Sequence, residues 1–192
     1  IRDSPRSYSI IEHDHKYLKH RNPSIYDDFV APANHIINRP FYVNANKIFA
    51  QSKIHKQVIE KNLKITNVVN LGMSLWSDEQ LQIIEQNSNN KKQNDCSVIN
   101  SSNQTKNTNG TVAYCQNYNL EYTLIGSTSY AEFIKQLSEH EKYVYIPIVL
   151  ETFNRVIIEA RMLGCKISST KLNGCFSEAV SYTHLRAHET ME

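Results

Sequence analysis

The chain has 192 residues, a length that suits one domain or two small ones. Hydrophobic residues make up 40% and charged residues 21%, a composition that supports a packed core and excludes wholesale disorder. No apolar run approaches the ~20 residues of a membrane-spanning helix, and a net charge of +2 gives no reason to expect a nucleic-acid partner. The four cysteines lack C-x-x-C spacing, which favours a reduced, cytoplasmic protein over a disulfide scaffold.

Both ends of the chain are unusual. It opens at Ile1 without a methionine or a signal-peptide pattern, as though it began inside a fold. Residues 180–190 read VSYTHLRAHET, which matches the translation of a transposase-type sequencing adapter. We therefore expect 180–192 to be a non-native tail, and we expect the chain to be a fragment.

The first part of the chain has the pattern of short strands and helices. Apolar spacing predicts, in order, strand 7–11, strand 46–52, helix 54–62, strand 67–71 and a helix capped by Ser77. Residues 86–95, QNSNNKKQND, contain no apolar side chain and cannot bury area to offset their ordering entropy. We predict a polar linker there, which ends the first domain at residue 85.

After the linker, strands and helices alternate regularly. The predicted order is strand 96–100, helix 105–117 with Val112 and Ala113 inward, strand 120–125, helix 129–137, strand 143–148, helix 154–163 and strand 165–168. This alternation predicts βαβ units on a parallel sheet, and therefore an α/β fold. Residues 96–179 are expected to form a Rossmann-like half-domain.

The chemistry is expected at the carboxyl ends of the strands, where α/β sheets bind ligands. The loop after strand 143–148 leads to a helix that starts near Asn154, and the unpaired amides of a helix start suit a diphosphate. Glu151 lies on the loop and Glu159 on the helix. Carboxylates only accept hydrogen bonds, so they suit sugar and ribose hydroxyls. The alternative is a capping carboxylate and a solvated helix face on which Glu159 pairs with Arg155.

The segment PIVLETFNRVIIEARMLGCKI resembles the E-x7-E segment of retaining GT-B glycosyltransferases of the glycosyl-transferases-group-1 superfamily. The matching positions are Pro147, Glu151, Phe153, Glu159, Ala160 and Gly164. The resemblance implies a GT-B-like fold with parts of two Rossmann-like domains and parallel sheets. It makes 1–85 the end of the acceptor-side domain and 96–179 the start of the nucleotide-sugar-binding domain.

The resemblance also implies roles in donor binding. Glu151 would contact the transferred sugar and Glu159 the nucleotide ribose, while backbone donors near Phe153 and Asn154 would hold the diphosphate. Two further residues follow the domain's first strand, where the family carries a basic pair. Lys106 fits the lysine, although the alternative is a plain surface lysine, and Ser102 stands where the arginine is usual. Arg155 could supply the missing charge.

On the acceptor side, Glu12-His13-Asp14 resembles the family's strand-end H-D, which makes His13 a candidate catalytic residue beside Glu151. Two alternatives remain from the residues alone. His13 and His15 could face one side of a strand and bind a metal, or either could be structural. We expect no metal site, and we expect Trp76 to be a core or inter-domain anchor rather than a stacking platform.

The implied activity is sugar transfer, of hexosyl type, from a nucleotide-diphosphate sugar to an acceptor with retention, without a cofactor. A glycan or lipid-linked acceptor in polysaccharide biosynthesis is expected, with the protein in the cytoplasm or in peripheral contact with the inner face of the membrane. The alternatives are a GT-B sugar-nucleotide epimerase and a non-catalytic nucleotide- or sugar-binding remnant. The fragment alone is expected to be inactive.

Overall fold

The computed structural model describes residues 8–127 and 129–178. Within them the chain divides into two units, each with its own parallel sheet, so the predicted α/β class is confirmed. The first unit consists of 8–74, 149–153 and 172–178, and the second of 75–127, 129–148 and 154–171. The expected non-native tail lies outside the described residues. None of the described helices is long and apolar enough to span a membrane.

The first unit is built on a three-stranded parallel sheet in the order β1-β2-β3. Its regular elements are, in chain order, β1 (Ser9–Ile11), α1 (Arg39–Val43), β2 (Lys47–Ala50), α2 (Lys53–Leu63) and β3 (Val68–Asn70). Ile48 on the central strand is paired with Ile10 on one side and Val68 on the other, and all three side chains are buried. Sequence analysis predicted these strands and α2, whereas α1, with proline in its first turn, was not predicted.

Helix α2 begins directly after β2 because Ser52 caps it. The Ser52 hydroxyl accepts a hydrogen bond from the backbone N–H of His55 at 3.3 Å and donates one to the carbonyl of Thr152 at 2.6 Å. The helix ends where Lys64 takes a left-handed conformation, with φ of 55°. The same hydroxyl thus starts the helix and holds the 149–153 segment within the first unit.

The second unit contains a four-stranded parallel sheet in the order β5-β4-β6-β7. Its elements are α3 (Asp78–Asn87), β4 (Gln93–Ile99), α4 (Thr108–Asn117), β5 (Tyr122–Ile125), α5 (Tyr130–Ser138), β6 (His140–Tyr145), α6 (Arg155–Met162) and β7 (Lys166–Ser169). A helix lies between each two strands that are consecutive in sequence, as predicted. Ser77 caps α3 through a capping box, in which its hydroxyl accepts from the N–H of Gln80 and the Gln80 side chain accepts from the N–H of Ser77.

The polar segment 86–95 is not an irregular linker throughout. It begins in the last residues of α3 and ends in the first residues of β4. Asp95 Oδ1 lies 2.6 Å from His140 Nδ1, and Asp95 Oδ2 accepts a hydrogen bond from the Thr123 hydroxyl at 2.9 Å. Backbone pairing with β6 and these side-chain partners replace the apolar contacts that the segment lacks.

Helix α4 starts three residues later than predicted. A 3-10 turn over 104–106 precedes it, and Asn107 takes a left-handed conformation at its start. The buried positions of the helix are Thr111 and Cys115, whereas Ala113 is exposed and Val112 is only half-buried. The predicted inward position of Ala113 is therefore wrong, because the buried face of the helix lies on other residues.

Candidate functional site

The loop after β6 leads towards α6, and the start of α6 is fixed by Asn154. Strand β6 ends at Tyr145, before Pro147, which lacks the amide hydrogen that strand pairing requires. Asn154 has φ of 63°, and its side-chain oxygen accepts a hydrogen bond from the N–H of Ile157 at 3.3 Å. The helix therefore begins at Arg155, one residue after the predicted start. Its first turn presents amides that have no carbonyl partner within the helix.

Glu159 lies one turn into α6, and its carboxylate is buried. The residue is 3% exposed, so the alternative of a solvated helix face is wrong. Its Oε1 accepts hydrogen bonds from the indole N–H of Trp76 at 2.9 Å, from the Tyr130 hydroxyl at 3.1 Å and from Arg155 Nη2 at 3.3 Å. Burial, together with the Glu159 charge, raises the pKa of Tyr130, so the phenol stays protonated and donates.

Arg155 joins several parts of this cluster. It forms the i, i+4 ion pair with Glu159 that the sequence allowed. Its guanidinium carbon lies 5.1 Å from the centre of the Trp76 ring, a cation–π distance, and Nη2 also donates to the side-chain oxygen of Gln80 at 3.3 Å. Among the described residues, Arg155 Nε is buried without a hydrogen-bond partner. One donor of the guanidinium is therefore buried and unsatisfied, which costs free energy.

Lys106 and Ser102 lie in the segment that follows β4. Lys106 closes the 3-10 turn, and its ammonium nitrogen lies 5.9 Å from the centre of the Tyr145 ring. Asn107, the next residue, donates from its side chain to the carbonyl of Ile146 at 2.8 Å. Ser102 is exposed in the same loop. Lys106 is therefore half-buried in the loop that follows β4.

In the first unit, Glu151 and Phe153 belong to a segment that pairs with residues 172–178. The N–H of Glu151 donates to the carbonyl of Leu172 at 2.9 Å, and the N–H of Gly174 donates to the carbonyl of Glu151 at 2.8 Å. The carbonyl of Phe153 accepts from the N–H of Cys175 at 3.1 Å, and the Phe153 ring is buried. Glu151 is half-buried between these backbone contacts.

His13 lies after β1 and is exposed. Its carbonyl oxygen lies 3.1 Å from the hydroxyl of Thr152. His15 is buried, and because the strand ends at Ile11, the two histidines do not share one face of a strand. The alternative of a two-histidine metal face is therefore wrong. Over residues 8–127 and 129–178, no group of three or more His, Cys, Asp or Glu is arranged to hold a metal ion.

Within the second unit, the structure brings Arg155 and Glu159 together and adds two residues that sequence analysis did not assign to a site, Trp76 and Tyr130. The aromatic residues carry no motif of their own. The only sequence signal near them is the capping box directly after Trp76, which fixes the start of α3 and therefore the backbone position next to Trp76. Lys106 contacts a different aromatic ring, that of Tyr145.

Comparison with solved structures gives three matches of low identity. WaaG, described as a glycosyltransferase involved in lipopolysaccharide biosynthesis, is 10% identical over 69% of this chain and 46% of that chain, with a TM-score of 0.45. Anabaena HepE in complex with UDP and glucose is 16% identical over 89% of this chain and 54% of that chain, with a TM-score of 0.48. HepE in complex with UDP-glucose is 15% identical over 89% of this chain and 55% of that chain, with a TM-score of 0.45.

The chain spans about half the length of these solved structures. No protein-family model matches it, and the search of curated proteins also gave no match.

Proposed function

We propose that this chain is part of a glycosyltransferase that moves a sugar from a nucleoside-diphosphate sugar to an acceptor with retention. The observation that carries the proposal is the buried carboxylate of Glu159, in the segment that resembles E-x7-E. Its Oε1 is held by three donors, and no described residue donates to Oε2. A carboxylate can accept about four hydrogen bonds. Oε2 is therefore suited to accept the hydroxyls of a nucleotide ribose.

The diphosphate is proposed to bind at the start of α6. The backbone donors near Phe153 and Asn154 lie at the start of α6, the positive end of its dipole, where the N–H of Ile157 is already bound by the Asn154 side chain. Arg155 and Lys106 bring positive charge, and Ser102 contributes a hydroxyl. When the bond to the leaving diphosphate breaks, negative charge grows on its oxygens, and fixed donors stabilise that charge without reorganisation.

Glu151 is proposed to contact hydroxyls of the transferred sugar, and His13 to act on the acceptor side. Glu151 is half-buried, and the hydrogen bonds of its backbone N–H and carbonyl support a fixed position for its backbone. The proposal also includes a glycan or lipid-linked acceptor and a role in polysaccharide biosynthesis. It places the protein in the cytoplasm, at the membrane surface. The predicted bounds, 1–85 for the acceptor side and 96–179 for the donor side, differ from the two units in that 75–85 belong to the second unit and 149–153 and 172–178 to the first.

The test is nucleotide binding by isothermal titration calorimetry. UDP, GDP and ADP are titrated separately into the protein and its Glu159→Ala variant. Loss of the ribose hydrogen bonds should weaken the best nucleotide by about 1–3 kcal/mol, roughly five- to 150-fold. Glu85→Ala, which removes an exposed carboxylate from α3 in the same unit, is the control and should bind like the original protein. Equal affinities for the original protein and Glu159→Ala would contradict the ribose role.

Transfer and retention need a second measurement. The protein is incubated with the nucleotide sugar of the best-bound base and a pool of glycan and lipid-linked acceptors, and the anomeric configuration of the product is read by NMR. An axial donor linkage that stays axial in the product supports retention, and inversion would refute it. Turnover with donor alone would instead favour the epimerase alternative.

A further inference from the structure

Three donors from three different parts of the second unit converge on one oxygen of Glu159. Trp76 precedes α3, Tyr130 opens α5 and Arg155 opens α6. An indole N–H and a guanidinium can only donate hydrogen bonds. The phenol of Tyr130 is held protonated by burial and by the neighbouring carboxylate, so it donates as well. Glu159 Oε1 is therefore saturated by the protein.

The second carboxylate oxygen of Glu159, Oε2, differs from Oε1 in its hydrogen bonding. No described residue donates a hydrogen bond to Oε2, although the side chain of Glu159 is only 4% exposed. Oε2 is not one of the buried atoms that lack a partner, so it keeps access to solvent and can accept a hydrogen bond from a ligand. The asymmetry fixes the torsion of the carboxyl group, since rotation would break three hydrogen bonds at once.

We propose that Trp76 and Tyr130 are positioning residues that hold Oε1 so that Oε2 accepts ribose hydroxyls, which makes the site select ribonucleotides over nucleotides lacking those hydroxyls. This inference rests on the proposed function. Neither residue touches the ligand in this arrangement. They act by removing the rotational freedom of Glu159, so that the hydrogen bond to ribose forms without an ordering cost.

The position of Trp76 is itself determined by local structure. The capping box of Ser77 and Gln80 fixes the backbone immediately after the indole. Gln80 also accepts from Arg155, whose guanidinium lies against the Trp76 ring. The ring therefore has both its N–H and one face occupied, which restricts it to a single orientation.

Trp76 is the only tryptophan in the chain. Its indole N–H is bonded directly to the carboxylate proposed to bind ribose. A ligand bound at Oε2 changes the electric field around the indole ring. Nucleotide binding should therefore shift or quench the intrinsic tryptophan emission, whereas binding elsewhere on the protein should leave it unchanged.

The test compares a nucleotide with its dideoxy analogue. Whichever of UDP, GDP and ADP binds best is titrated together with its 2′,3′-dideoxy form into the protein and into Trp76→Phe and Tyr130→Phe. Each variant removes one donor and keeps the aromatic ring. We expect each to lose about three- to tenfold in affinity for the ribonucleotide, with the affinity for the dideoxy form unchanged. Tyr118→Phe, the same change on an exposed tyrosine after α4, should leave both affinities unchanged.

The outcomes separate the inference from the proposed function. If both variants weaken the two ligands equally, the residues only support the fold, and the positioning role is wrong. If the original protein binds the two ligands equally, the ribose selection is wrong while nucleotide binding stands. If the original protein binds no nucleoside diphosphate, the proposed function fails and this inference with it. Thermal unfolding of each variant shows whether it is folded, and two independent variants guard against the failure of one.

Discussion

The imidazole rings of His15 and His55 meet edge to face in the first unit, with their centroids 5.0 Å apart. Both are buried, and His15 Nδ1 lies 3.0 Å from the Tyr17 hydroxyl. Burial lowers the pKa of His15 from 6.5 to about 4, against the opposing effects of the Asp14 charge and the backbone of Leu150. Burial also lowers the pKa of His55, and the neighbouring His15 lowers it further.

This pair should make the first unit sensitive to acid. Between pH 6.5 and about 4 the unfolded chain binds a proton at His15 that the folded chain does not, so stability is complete above 6.5 and falls as the pH drops through that interval. The loss from His15 alone is about 3 kcal/mol. Urea unfolding followed from neutral pH to about pH 4 measures it. His15→Gln should flatten the dependence, whereas the exposed control His20→Gln should not. A pH-independent midpoint would contradict the burial of neutral histidines.

Gly174 should not tolerate a side chain. A Cβ at this position would lie 2.2 Å from the carbonyl oxygen of Thr152 and 2.4 Å from the hydroxyl oxygen of Ser52. Gly174→Ala should therefore destabilise the first unit by about 1–3 kcal/mol or more, because the two atoms are joined by a hydrogen bond and cannot both move away. Gly164→Ala, where the nearest atom is 3.8 Å away, is the comparison and suffers only from its left-handed backbone, about 1 kcal/mol. Thermal unfolding of both variants measures the two losses of stability. Equal losses for Gly174→Ala and Gly164→Ala would contradict the close approach of Thr152 and Ser52 to Gly174.

Asp95 should stabilise the second unit despite its place in a polar segment. Asp95→Ala leaves the buried ring of His140 without its partner, and we expect a loss of about 1–3 kcal/mol in the free energy of unfolding. Thr123→Val removes one hydrogen bond to the same carboxylate and should cost less. Glu121→Ala, an exposed carboxylate nearby in sequence, serves as the control. Chemical denaturation in which all three variants match the original protein would show that the pair is not stabilising.

Lys106 should act on the diphosphate rather than on the nucleoside. If the proposed donor site is correct, Lys106→Met weakens UDP by about 1.5–3 kcal/mol, the usual range for a charge-assisted hydrogen bond. Uridine, which has no phosphate, should bind the variant and the original protein equally. Lys91→Met removes an exposed lysine of the same unit and is the matched control. A similar loss for uridine and UDP would mean that the substitution disturbs the loop instead of the phosphate contact.

Much of the fold could be predicted because local signals and tertiary structure agree. The predicted cap at Ser77 agrees with the start of α3, and the alternating apolar segments agree with the parallel sheets. The polar start of β4 could not be predicted. Its stability comes from Asp95 and its partner His140, which lie 45 residues apart, and no local pattern contains such a pair.

The site could be predicted only in part. The positions of Asn154, at the cap of α6, and of Glu159, inside the helix, follow from helix geometry. The burial of Glu159 and its contacts with Trp76 and Tyr130 do not, because these residues are 83 and 29 positions away in sequence. The alternative of two histidines on one face of a strand fails for a similar reason. It assumed that β1 continues past Ile11, where the chain in fact turns.

The first unit is assembled from segments that lie far apart in the sequence, and this affects its folding during synthesis. Ser52 and Lys53 take their hydrogen-bond partners from Thr152 and Glu178, 100 and 125 residues later. Residues 8–74 are synthesised long before these partners. Strands β4, β5 and β6 of the second unit precede Thr152 in the chain, and all described elements of that unit precede Glu178. Contacts of such long range slow folding. A chain cut after residue 74 would therefore lack the cap partners of α2, and the first unit should be expressed only together with the residues that return to it.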